Sequence, residues 1–396
     1  MDATRLLLPF DNGELTSFFD NQLLQLNPVT MQDDYEKNIL KLTENLIEIN
    51  ERKAFLEGIA LYLGDFSVDD TEGMLKEVQR RYADKGIALP KAVKVWFQKS
   101  DVSPSIKQDH RRNLYDFCVA MGMDYITTAE FFLKSFLTIP FNYKDRIDAV
   151  YFYCMKTGRP YEIIKKMLAT AESFEATNPE VSSTEFIGKH ILDIETDEEF
   201  LHYLRFHCFD SNHQYETTKN KIIHLIGENK KIVPGRDRNG NELPFQDLGT
   251  TKNSVLLDAI LNFRYQSLDA SQRKNMKDSG LPMFPRDGDI SNITSGSHDV
   301  SSEVLRKTLI LMQFYNVFRS KQRERKWTAT EDLEEIQGDL WDFIDTTDGL
   351  LAECGFVQLY SRNPYDAIIL FCANSPDPIL HLQTFIQKRY MKNLED

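Results

Sequence analysis

Three clusters in this chain carry residue types that can do chemistry. His202, His207, Cys208 and His213 crowd one segment. Zinc needs about four such groups converging on one point. On a helix, His202 and His207 point about 140° apart, so the segment reads as half-exposed histidines around a buried thiol. Asp339, Asp342, Asp345 and Asp348 recur at every third position. Paired carboxylates bind magnesium or share proton transfer. No histidine, base or glycine-rich phosphate loop accompanies these four, and they read as a solvated acidic helix face. Cys354-Gly355 has no base beside it to generate a thiolate. Neither a Gly-x-Ser-x-Gly elbow nor a P-loop occurs. The expectation is a protein that is not an enzyme, with no catalytic residues, no metal and no cofactor.

Charge is more informative. The 396 residues carry a formal net charge of −14, which as an average repels nucleic acid and anionic membranes. From Met74 to Arg112, however, ten bases face four acids, a local +6 that leaves −20 for the remainder. Such an island is what phosphate contacts need. Further on, Glu331–Glu353 holds nine acids and no base, shortly after five bases and one acid over Arg319–Lys326. Internal pairing or simple solvation of these two runs is expected.

The basic island coincides with a pattern of elements. Residues 71–122 offer a helix running to about Asp84, a turn at Gly86, a second helix over Leu89–Phe97, a polar loop with Pro104-Ser105, and a helix ending at Ala120-Met121-Gly122. This pattern resembles the helix-turn-helix of phage-repressor-type (lambda-repressor-like) regulators over about residues 70–125. Trp96 takes the aromatic position of the recognition helix; Gln98-Lys99-Ser100 stands where that family has Glu-Arg-Gly. The resemblance implies a DNA-binding transcription regulator with Leu89–Gln98 as recognition helix. Lys91, Lys94 and Gln98 share a face at i, i+3, i+7, with Ala92, Val93 and Trp96 turned inward. With Lys99, Lys107, Arg111 and Arg112 they form the expected nucleic-acid-binding set, lysine and glutamine reading bases and arginine holding phosphates. A single helix-turn-helix binds weakly, so a homodimer on two half-sites is expected.

Other fragments, among them LPKAVKVWF, RRNLYDFCVAMGMD and PFNYKDRIDAVYFYC, resemble proteins of gut Firmicutes that carry no assigned activity. That likeness implies a bacterial, cytoplasmic protein associated with a mobile element. The alternative to a regulator is a helical adaptor or inhibitor that binds a protein partner through its acidic surface.

The fold that must position these residues is all-α, built of helical hairpins. Caps recur at Asp70-Thr71, Ser103-Pro104-Ser105, Asn142 with Asp145, Thr196-Asp197, Asn363-Pro364 and Ser375-Pro376-Asp377. Residues 113–125 echo 149–161 at an offset of 36: Tyr115 matches Tyr151, Cys118 Cys154, Gly122 Gly158 and Tyr125 Tyr161, with Tyr82 and Gly86 another 36 upstream. Either a short repeat array or two hairpins sharing a small menu of caps explains this. Phe131, Phe132 and Phe136 form a core stripe. The strand signal is confined to Ile232–Leu248, where Asn239-Gly240 suits a short β-hairpin. Loops at Ala176–Thr184 and Met283–Ser302 divide the chain into 1–69, 70–172, 185–282 and 300–396. Five widely spaced cysteines read as buried thiols of a reducing compartment. No signal sequence and no membrane span is expected, since the longest late apolar run, Ala367–Ala373, is far below the ~20 residues needed.

Overall fold

The computed structural model of the chain describes residues 51–99, 108–135, 140–174, 190–209, 211–233, 253–262, 281–296, 300–324, 333–360 and 363–391. These residues are 77% helical, and no strand occurs among them. The chain divides into two compact units: one of Ile49–Gln214 with Gly355–Val357, the other of Tyr215–Cys354 with Gln358–Asp396.

In the first unit, α1 (Glu51–Leu63), α2 (Thr71–Asp84), α3 (Lys91–Gln98), α4 (Gln108–Met121), α5 (Tyr125–Ser135), α6 (Arg146–Lys156), α7 (Tyr161–Glu172) and α8 (Asp197–His207) follow in order. One hydrophobic core runs from Phe55 to Cys208, so the boundary expected at 69 falls inside it. Local chemistry fixes the ends. Asp70 caps α2 by accepting the Gly73 N–H at 2.9 Å. Asp145, not Asn142, caps α6, accepting from Ile147 and Asp148. Thr196 and Glu199 form a full capping box on α8.

The 36-residue echo is structural. Gly86, Gly122 and Gly158 all adopt left-handed φ (65°, 81°, 65°). Past each glycine the next amide reaches back to the same aligned carbonyl: Ile87 to Tyr82 (2.9 Å), Met123 to Cys118 (3.0 Å), Arg159 to Cys154 (2.8 Å). These are Schellman closures, which need a residue free of the Cβ penalty. The second helix of each hairpin buries a triplet at the same 3–4 spacing: Val93, Trp96 and Phe97 in α3, then Thr128, Phe131 and Phe132, then Ile164, Met167 and Leu168, the α3 set lying one residue later relative to its glycine than the other two. The series continues in α8, where Phe200, Tyr203 and Leu204 are buried another 36 residues on. There Ile194 stands at the glycine's place.

The second unit contains most of α9 (Ser211–Ile232), then α10 (Asn253–Leu261), α11 (Asp287–Ser295), α12 (Ser302–Glu324), α13 (Leu333–Glu353), α14 (Pro364–Ala373) and α15 (Pro378–Ile386), ending in a π turn at Gln387–Met391. Its core includes Leu309, Met312 and Phe314 of α12, Phe343 of α13, Ile369 of α14 and Phe385 of α15. Asn363 caps α14 as its Pro364 implies, whereas α15 is capped by Asp377 with Pro378 behind it, two residues later than Ser375-Pro376 suggests.

One expectation fails here, and the starting point of another shifts. Met283–Ser302 is not all loop: α11 forms because Ile290 and Ile293 fall on one buried face, the Asp289 carboxylate accepts the Arg286 N–H, and Gly296 closes the end at φ 77°. Three acids and polar neighbours hide that two-residue apolar stripe. The hairpin expected over Ile232–Leu248 starts too early, since Ile232 ends α9; residues 234–252, including Asn239-Gly240, lie outside the described residues, as do Phe136 and Ala176–Thr184. All five cysteines are buried and unpaired as disulfides. Among the described residues no helix is long and apolar enough to cross a membrane.

Candidate nucleic-acid interface

The α2–α3 hairpin is built around Phe55. Its ring meets Trp96 edge-on at 5.7 Å and Phe97 at 5.6 Å, while Trp96 meets Phe117 at 6.0 Å. Val93, Trp96 and Phe97 are buried, and burial of such side chains stabilises by roughly 1.5–3 kcal/mol each. This fixes the rotation of α3, so Lys91, Lys94 and Gln98 face solvent together. Ala92, expected inside, is exposed with them; the inward face is set by spacing 3 and 4 from Val93, which excludes position 92. Lys99 is exposed at the C-cap, its amide bonded to the Val95 carbonyl. Pro90 leads into α3 without a side-chain cap; the Val93 amide turns back to the Pro90 carbonyl at 3.1 Å, and the amides of Lys91 and Ala92 are the ones with no partner inside the helix.

The bases of the island behave in two ways. On α2 they neutralise acids of the same helix. Lys76 reaches Glu72 at 2.7 Å, Arg80 reaches Glu77 and Asp84, and Arg81 reaches Glu77. Hydrogen bonds from Arg80 and Arg81 hold the Glu77 carboxyl down at about 2, and Glu72 raises the Lys76 ammonium. Arg81 also donates to the Met121 carbonyl at 3.0 Å, so it ties α2 to the end of α4. By contrast, Lys91 and Lys94 have no acidic partner among the described residues. Neither has Lys85, which sits exposed beside the Gly86 turn. Lys85 counts toward the local charge but is absent from the expected binding set; its place directly before the turn glycine is the signal for it.

Arg111 does not belong to the set. It is buried, donates to the Pro140 carbonyl at 2.6 Å and the Tyr115 hydroxyl at 3.1 Å, and pairs with Asp148 at 3.2 Å. Adjacent arginines on a helix point about 100° apart, and here one of the two turns into the core. Arg112 remains exposed but lies 3.5 Å from Glu172. Lys107 lies outside the described residues, as does Ser103-Pro104-Ser105.

The other clusters stay apart. His202 lies against Phe206 at 4.5 Å, while His207 lies against Tyr203 and His190 at 5.4 and 5.6 Å. The Cys208 thiol donates to the Tyr143 carbonyl at 3.3 Å. The side chain of His213 is outside the described residues. Among the described residues no three histidine, cysteine or acidic groups gather as metal ligands. On α13 the acids divide: Lys321 bridges Asp339 and Asp342 at 2.7 and 2.9 Å, Asp345 is exposed, and Asp348 is half-buried, accepting the Leu359 N–H. The four therefore do not form one solvated face. Cys354 is buried, and a Cβ at Gly355 would meet Phe209 at 2.9 Å, so this dipeptide is a packing feature.

Comparison with known proteins gives no matching family model, no similar curated protein and no similar solved structure.

Proposed function

We propose that the chain is a DNA-binding regulator that reads duplex DNA with the outer face of α3. One observation carries this reading: Lys91 and Lys94, three residues apart on an exposed helix face, have each other's charge beside them and no acid among the described residues. Like charges at this spacing destabilise a helix by a few tenths of a kcal/mol. A face that the fold does not need, and is slightly harmed by, suits an external anion. Lys91, Lys94 and Gln98 would meet base edges, and Lys85, Lys99 and Arg112 the phosphates. The resemblance to repressor-type regulators supports the same assignment. A bacterial, cytoplasmic setting and action as a dimer belong to this proposal.

The test is titration of the intact chain with random and genomic DNA at several salt concentrations. Selective enrichment of a short, preferably palindromic site is expected, with a salt dependence that shrinks in the Lys91→Ala/Lys94→Ala variant. Unchanged affinity in that variant would overturn the assignment.

A protein-binding reading is favoured by a different observation, the exposed acids Glu334, Asp342 and Asp345 on α13 in a chain of charge −14. It expects binding to survive loss of the α3 lysines and to fail when those acids are neutralised.

A further inference from the structure

In the second unit, three successive residues of an irregular segment are each held by a different charged side chain. The Gln358 carbonyl accepts from Arg306 at 2.9 Å. The Leu359 amide donates to Asp348 at 2.7 Å. The Tyr360 amide donates to Asp366 at 2.9 Å. Arg306 in turn grips both oxygens of Asp366 at 2.8 Å. Leu359 and Tyr360 are buried. A buried stretch of backbone outside helix and sheet must find partners for its amides and carbonyls, and here side chains of α12, α13 and α14 supply them.

We propose that Arg306, Asp348 and Asp366 form a proton-dependent clasp on the Gln358–Tyr360 segment. Arg306 pairs directly with Asp366 and acts on Asp348 by charge alone. Asp366 is saturated, with two arginine bonds and one amide. Asp348 has the Leu359 amide as its one hydrogen bond among those described. The groups facing it are Arg306 from α12, Asp366 from α14, Asp345 from its own helix and that amide. One cation stands against three acids, so Asp348 is the site where a proton relieves the excess charge. Burial pushes its carboxyl up to about 7, with Asp366 and Asp345 adding to the shift and the Leu359 amide and Arg306 opposing it.

A carboxyl whose value is higher clasped than released prefers its proton in the clasped state. The clasp is therefore tightest at low pH, loosens as pH rises, and levels off above about 7. With an ordinary carboxylate value of about 4 on release, opening becomes about tenfold easier between pH 6 and pH 8.

The experiment is hydrogen exchange of the full chain read on peptides covering residues 355–362, at pH 6 and pH 8, with rates corrected for the intrinsic pH dependence. Protection in the wild type should fall about tenfold. Asp348→Asn should abolish that fall. Asp345→Asn, at an exposed position, removes one neighbouring negative charge and should shrink the fall while leaving the fold intact. Equal corrected protection at both pH values in the wild type, or an undiminished fall in Asp345→Asn, would overturn the proposal even if Asp348→Asn failed to fold.

Discussion

Helices α3 and α7 are second helices of hairpins built on one plan, yet their outer faces carry opposite logic. Both follow a left-handed glycine, and both bury a triplet at the same 3–4 spacing, Val93, Trp96 and Phe97 in one and Ile164, Met167 and Leu168 in the other. In α7, Glu162 pairs with Lys165 at i, i+3, 2.7 Å apart, and the face neutralises itself. In α3 the same spacing holds Lys91 and Lys94, which repel. The hairpin plan tolerates either, so the charge on α3 is not a requirement of folding. That contrast is the physical ground for reading α3 as a contact surface and α7 as part of the frame.

The comparison breaks most severely if the frame itself is cut. Arg111→Ala strands Asp148 in the core and should cost about 3–5 kcal/mol, because an uncompensated buried charge is left behind. Denaturant unfolding should show this loss, and any loss of DNA affinity should track the folded fraction. An Arg111→Ala protein of wild-type stability would return this residue to the surface set. Next come the α3 lysines. Lys91→Ala/Lys94→Ala should weaken DNA binding by about tenfold or more and lower the salt slope by about 2, with stability held within about 0.5 kcal/mol. The matched change in α7, Lys165→Ala/Lys166→Ala, should leave affinity within about twofold by the same titration, as expected of a face that makes no phosphate contact; equal losses in both helices would erase the contrast. The smaller effect concerns the shared plan. A Cβ at Gly86, Gly122 or Gly158 meets nothing within 4 Å, so alanine at each should cost only the left-handed conformation, about 1–2 kcal/mol. Three similar costs in thermal melts would support equivalence of the hairpins. A cost confined to one would argue against it.

Much of this frame is legible in the sequence. Asp70, Thr196 and Asn363 mark helix starts because a short polar side chain at the cap satisfies orphan amides, and the glycines mark ends because few other residues accept positive φ. The basic island and the face at Lys91, Lys94 and Gln98 follow from spacing alone. What sequence does not carry is the partner of each charge. Arg111 and Arg112 are neighbours of equal charge, and nothing local separates them. The difference is made by Asp148, which lies on another helix and meets Arg111 only once α6 packs beside α4. The α11 helix is hidden for a related reason, since its two buried isoleucines are outnumbered by polar neighbours and only the packing of Ile290 and Ile293 reveals them.

The burial of every cysteine has a practical side. Cys118, Cys154, Cys208, Cys354 and Cys372 are all shut away from solvent, and burial raises the thiols of Cys118 and Cys372 far from the range where a thiolate forms. The native protein should therefore be silent toward alkylating reagents. A single cysteine introduced at the exposed Ala92 would then be the one reactive thiol on the folded chain, ready to carry a fluorophore or spin label on the very face of α3 that would meet DNA.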